Sequence, residues 1–145
     1  MAYIAVEKTT GLLSIEEEIG AQEAAKLSGD ANGQSIDAAF WNQKIARAQS
    51  VVDAKFAVHH DVPFTDGSVP ALAQQAALVL AIYYAYESRK GNGPEWIRVR
   101  FEDTMKMLDD VASGKAKVYV SDTDAPIVQP SSSFIGSTRL FGRSI

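Results

Sequence analysis

The segment from Ala71 to about Ser88 constrains the fold more than any other part of the chain. Leu72, Ala76, Leu78, Val79, Leu80, Ile82, Tyr83 and Tyr84 put apolar side chains on nearly every face of a helix, and a helix with no polar face must be surrounded by other elements. Its longest apolar run, Ala76–Tyr86, falls far short of the roughly 20 residues that cross a bilayer, so it reads as the central helix of a bundle and not as a membrane span.

Its neighbours are also legible. Trp41, Ile45, Ala48, Val52 and Phe56 recur at spacings of four, three, four and four, which lines them up on one face of a helix ending near Ala57. Asn42, Lys44, Arg47, Gln49 and Lys55 interrupt that stripe and should face water or a neighbour. Upstream, Ser14 with Glu17 forms a capping box, the hydroxyl meeting a first-turn amide and the carboxylate reaching back, and a short helix runs from Ile15 to Leu27. Gly29, Asp30, Asn32 and Gly33 stop it, and Ser35 or Asp37 can cap the next helix.

The composition of Val58–Ser68 reads as a loop that reverses the chain, and Pro70 suits the first turn of the central helix. Gly91, Asn92 and Gly93 break that helix, and Pro94 suits the first turn of a fourth. Ile97, Phe101, Met105, Leu108 and Val111 give the fourth helix its inner face, and Gly114 ends it with a left-handed cap. Short loops make consecutive helices antiparallel. The expected fold is all-α: a small antiparallel helical bundle of about four helices over residues 1–120, with at most one short strand at Val118–Val120.

Residues 121–145 differ in character. They carry six Ser, two Pro and two Gly, with little to bury, and read as an extended C-terminal arm. Phe134, Ile135, Arg139, Leu140, Phe141 and Arg143 give the arm aromatic and arginine anchors suited to docking on a partner.

A chain of 145 residues fits one domain. The absence of cysteine rules out disulfides, thiolate zinc sites and thiol catalysis. The net charge of −4 argues against a chain built chiefly to hold nucleic acid or an anionic membrane. Residues 1–70 carry 5 basic and 10 acidic side chains while residues 71–145 carry 9 and 8, a polarity that suits either head-to-tail contacts between copies or a solvated acidic face. Glu7 and Lys8 fall where a signal peptide needs an apolar run, so the expected compartment is the cytoplasm.

No catalytic constellation emerges. Adjacent side chains of His59-His60-Asp61 point opposite ways in an extended loop, and there is no further histidine to complete a metal or proton-transfer site, so a solvated or interface loop is expected. Glu102, Asp103, Asp109 and Asp110 belong to the outer face of an amphipathic helix. No cofactor, no metal and no enzymatic activity are expected. Arg89, Lys90, Arg98 and Arg100 cluster around an inter-helix turn and would serve a small helical regulatory or nucleic-acid-binding module. Glu87, Glu95, Glu102 and Asp103 interleave with them, which favours pairing over phosphate binding.

Two stretches resemble the head-tail connector (head completion) proteins of Mu-like tailed bacteriophages. The first runs through Ala48, Val52-Asp53, Phe56, Val62-Pro63-Phe64, Val69-Pro70 and Leu72. The second runs through Arg100-Phe101-Glu102, Met105, Leu108, Val111-Ala112 and Gly114-Lys115. The close, Arg139-Leu140-Phe141-Gly142-Arg143, is similar to the Arg-x-Phe-x-Arg ending of these proteins. His59-His60 stands where the family often has Arg-Tyr.

The resemblance implies a structural virion protein, an adaptor whose copies form a ring, expected to be a dodecamer, below the portal protein at the capsid vertex. A tail-side neck or stopper protein would sit beneath it, and DNA would pass through the channel without sequence-specific binding. The protein would then reside in the virion neck, and in the host cytoplasm during assembly. In that setting Phe134, Arg139, Leu140, Phe141 and Arg143 are the expected partner contacts. Glu16, Glu17, Glu18, Arg98 and Arg100 become candidates for the inter-subunit or channel surface.

Overall fold

A computed structural model describes residues 2–65, 67–91 and 93–117, except for the side chain of Lys90. The strand expected at Val118–Val120 and the arm of residues 121–145, with its anchors Phe134, Ile135, Arg139, Leu140, Phe141 and Arg143, lie outside the described residues.

The described residues form five helices in order: α1 (Ile15–Ile19), α2 (Ala21–Ser28), α3 (Ala38–Phe56), α4 (Ala71–Lys90) and α5 (Glu95–Ser113). Among the described residues there are two isolated bridges, Ala5 with Ser14 and Thr9 with Leu12, and no longer strand. The all-α expectation holds, with one correction to the count. The helix expected over Ile15–Leu27 is broken at Gly20, whose φ of 88° and ψ of 149° lie in territory that only glycine occupies comfortably. The carbonyl of Gly20 still accepts the amide of Ala24, so the second piece restarts at once.

Asp37, and not Ser35, caps α3, its Oδ1 accepting the amide of Ala39 at 3.0 Å. The five stripe residues Trp41, Ile45, Ala48, Val52 and Phe56 are the buried residues of α3. Helix α4 begins at Ala71, as expected, and Pro70 and Pro94 act as N-caps, because their ψ angles of 146° and 154° are still extended while their carbonyls accept the first helical amides. Gly114 closes α5 in the left-handed conformation, as expected.

Helix α4 is the centre, packed against α2, α3 and α5. Ala73, Ala77, Ala81 and Ala85 form a row at four-residue spacing in which each is fully buried, and methyl-sized side chains let a neighbouring backbone come close. Leu80 and Ile82 add large buried side chains, each stabilising the fold by about 1.5–3 kcal/mol. Contacts fix the directions: Phe40 lies near Arg89 and Arg47 near Tyr84, so α3 and α4 run antiparallel. Tyr83 stacks on Phe101 at 3.9 Å between centroids and Tyr86 meets Trp96, so α4 and α5 are antiparallel too.

The chain ahead of α1 is part of this core. Tyr3 and Ile4 are buried, and the segment is tied down by Ala5 N–H to Leu13 O at 2.9 Å and Ile15 N–H to Ala5 O at 3.0 Å.

Candidate functional site

Residues Glu16, Glu17 and Glu18 share α1, a helix opened by Ser14, whose Oγ accepts the amide of Glu17 at 3.1 Å. The capping box is present in an altered form, since the Glu17 carboxylate takes the Ser14 hydroxyl at 3.2 Å. The three carboxylates then divide. Glu16 accepts the backbone amide of Lys8 at 2.8 Å, and Glu17 lies 4.0 Å from the Lys8 ammonium, so both hold the preceding loop. Glu18 reaches instead to α5 and pairs with Arg100 at 2.5 Å.

Arg98 and Arg100 separate in the same way. Arg98 stays on its own helix between Glu95 at 3.9 Å and Glu102 at 3.6 Å. Arg100 crosses to Glu18 and also lies 5.9 Å from the centre of the Trp96 ring. Of the five surface candidates the structure therefore brings Glu18 and Arg100 together, with Glu16 and Glu17 beside them, and leaves Arg98 apart. Exposed pairs of this kind contribute about 0–1 kcal/mol each, so they orient α1 against α5 more than they stabilise the fold.

Arg89 is committed to the fold. Its Nε donates to Leu27 O at 2.9 Å and its NH2 to Ser28 O at 3.1 Å, and the guanidinium lies over the Phe40 ring. These are carbonyls at the end of α2 that the helix itself leaves without amides, and a cation there complements the helix dipole. Arg89, Arg98 and Arg100 are each engaged by groups of this chain.

The two histidines part company, though not through an extended loop: both backbone amides donate to Phe56 O, at 3.1 and 2.9 Å, in a turn that follows α3. His59 places Nε2 3.1 Å from the Ala112 carbonyl at the end of α5, while His60 packs on the rings of Phe56 and Phe64. With Asp61 they border an open hollow of about 390 Å³. Among the described residues no group of three His, Cys, Asp or Glu is placed to hold a metal ion. No helix among them is long and apolar enough to cross a membrane.

Three further features escape sequence reasoning. Burial, reinforced by a hydrogen bond to Asp53, pushes the phenol of Tyr3 up to about 12. Burial also raises the phenol of Tyr86, which donates to Glu23 at 2.8 Å and so joins α4 to α2. The third is an apolar patch: Trp96 and Val99 each keep 42% of their surface exposed on the first turns of α5. A tryptophan one residue out of phase with the Ile97–Phe101 stripe was the available signal.

The sequence profile of the family described as Bacteriophage Mu, Gp36 matches residues 12–135 of the chain, from just before α1 through the whole helical bundle. No curated protein matches the chain. A match over so much of the length, laid on an all-α bundle, decides the family. The chain belongs to the phage protein family Bacteriophage Mu, Gp36.

Proposed function

We propose that the protein is a structural subunit of a phage particle, a head-tail connector whose copies form a ring below the portal and line part of the DNA channel. The observation that carries this reading is the family match across residues 12–135, which includes both the bundle and the beginning of the arm. The division of labour between bundle and arm supports it. A core closed by α3, α4 and α5 gives a stiff block, and the anchors Phe134, Arg139, Leu140, Phe141 and Arg143 give a reach toward the portal.

Helix α1 is the proposed channel or neighbour surface. Glu18 is matched by Arg100, Glu16 is turned to the Lys8 amide and Glu17 lies 4.0 Å from the Lys8 ammonium, and the three carboxylates together make an acidic surface that lets a polyanion pass without gripping it. The tail-side face would meet a neck or stopper protein.

Quantitative mass spectrometry of purified, DNA-filled particles tests the assignment by comparing this chain with the portal protein. Near-equal copy number is the expected result. Absence from intact particles would sink the connector reading.

A further inference from the structure

Trp96 and Val99 sit three residues apart on α5, which makes them neighbours on one face. Glu95 lies four residues before Val99, and Glu102 and Asp103 lie three and four after it, so carboxylates border the patch on both sides. Arg98 offsets part of that charge through Glu95 and Glu102, and Arg100 is matched by Glu18. Arg100 also lies beside the Trp96 ring, so the result is an apolar spot whose border is mixed but net negative, with Asp103 the carboxylate to which neither arginine is paired, and such a spot fits an apolar segment with a basic border.

We infer that residues 134–143 of this chain fold back onto the Trp96–Val99 patch of α5 in the same molecule, an inference that goes beyond the connector reading and stands without it. The segment has the complementary chemistry. Phe134, Ile135, Leu140 and Phe141 are its large apolar residues, and between Ala125 and Ile145 the ionisable side chains are Arg139 and Arg143 alone. The reach suffices: α5 runs about 26 Å from Trp96 to Ser113 at 1.5 Å per residue. The connecting residues 118–133 can span up to about 55 Å. Tethering also raises the effective concentration of the segment to the millimolar range for a short linker, which favours the chain's own patch over that of another copy. A partner that takes up the segment then has to displace it from α5.

Quenching of tryptophan fluorescence by acrylamide in the full chain tests this, because Trp41 is wholly buried and Trp96 is the tryptophan that a quencher can reach. The double variant Arg139→Glu with Arg143→Glu should increase quenching severalfold, and Phe141→Ser should do so without changing charge. Adding Glu102→Lys and Asp103→Lys to the arginine variant should restore protection. A wild-type chain quenched as readily as these variants would overturn the inference. So would protection that disappears on dilution, since the occupant would then be a second copy.

Discussion

The Tyr3 hydroxyl donates to Asp53 of α3 and accepts the buried amide of Phe64 at 3.0 Å, so one phenol joins the first residues of the chain to a helix and to the loop that follows it. Replacing Tyr3 with Phe keeps the ring and strands that amide. The expected cost is about 1–3 kcal/mol, read from urea unfolding. The phenol also predicts a pH dependence. Its folded-state pKa is raised to about 12 from an ordinary value of 10, so the stability it contributes is complete below pH 10 and is lost as pH climbs through 12. Tyr3→Phe should flatten part of that alkaline loss, and an unchanged profile would show that Tyr3 is not its source.

Two glycines separate backbone strain from steric conflict. At Gly20 an added Cβ would meet nothing within 4 Å, so Gly20→Ala costs only the strain of its backbone, about 1–3 kcal/mol. At Gly93 the same atom would come within 2.8 Å of Ile97 Cγ2 and 2.9 Å of Tyr86 Cβ, and the turn between α4 and α5 would have to shift. Thermal unfolding should therefore be lowered in both variants. Weakened α4–α5 packing, read as Trp96 fluorescence, should appear only with Gly93→Ala.

Charge reversal at Glu16 and Glu17 distinguishes the two proposed roles of α1. Altered DNA passage with rings intact assigns these residues to the channel, and loss of rings assigns them to the contact between neighbours. In either case the isolated bundle should lose only about 0.5–2 kcal/mol, the scale of the Ser14–Glu17 cap that charge reversal removes. A loss well beyond that would mean that Glu16 and Glu17 serve the fold and not assembly.

Deleting the residues after Asp124 removes all the arm anchors. The bundle should remain helical by circular dichroism while binding to the portal is abolished. Unchanged affinity for the portal would remove the arm from the interface.

What the sequence revealed, and what it hid, follows from the range of the interactions. The α3 stripe from Trp41 to Phe56 was visible because a helix repeats its environment every few residues, and the all-round apolar character of α4 announced its central place. The break at Gly20 was hidden, because a glycine inside a helical pattern costs only about 1 kcal/mol and does not by itself demand a stop. The burial of Tyr3 and Ile4 was hidden for a different reason: their partners lie far along the chain and no local period marks them. The same holds for Trp41, whose indole N–H donates to Ala24 O at 3.0 Å across the α2–α3 boundary. For the candidate site, Glu18 and Arg100 were visible as charges, but their pairing spans 82 residues and needed the fold to show it.

The N-terminal tie also has a place in time. The connections between α3 and α4 (residues 57–70) and between α4 and α5 (residues 91–94) are shorter than the separations that Tyr3 must close, and contacts over smaller loops form earlier. Tyr3 must find Asp53 across 50 residues and Phe64 across 61, so it engages after those helices have assembled. A contact made that late slows escape from the native state without hastening arrival. In stopped-flow experiments Tyr3→Phe should speed unfolding and leave the folding rate nearly unchanged, while an equal slowing of folding would move the N-terminus into the nucleus. The segment around Tyr3 is thus the last to lock, a latch that closes over a bundle already assembled and holds it shut.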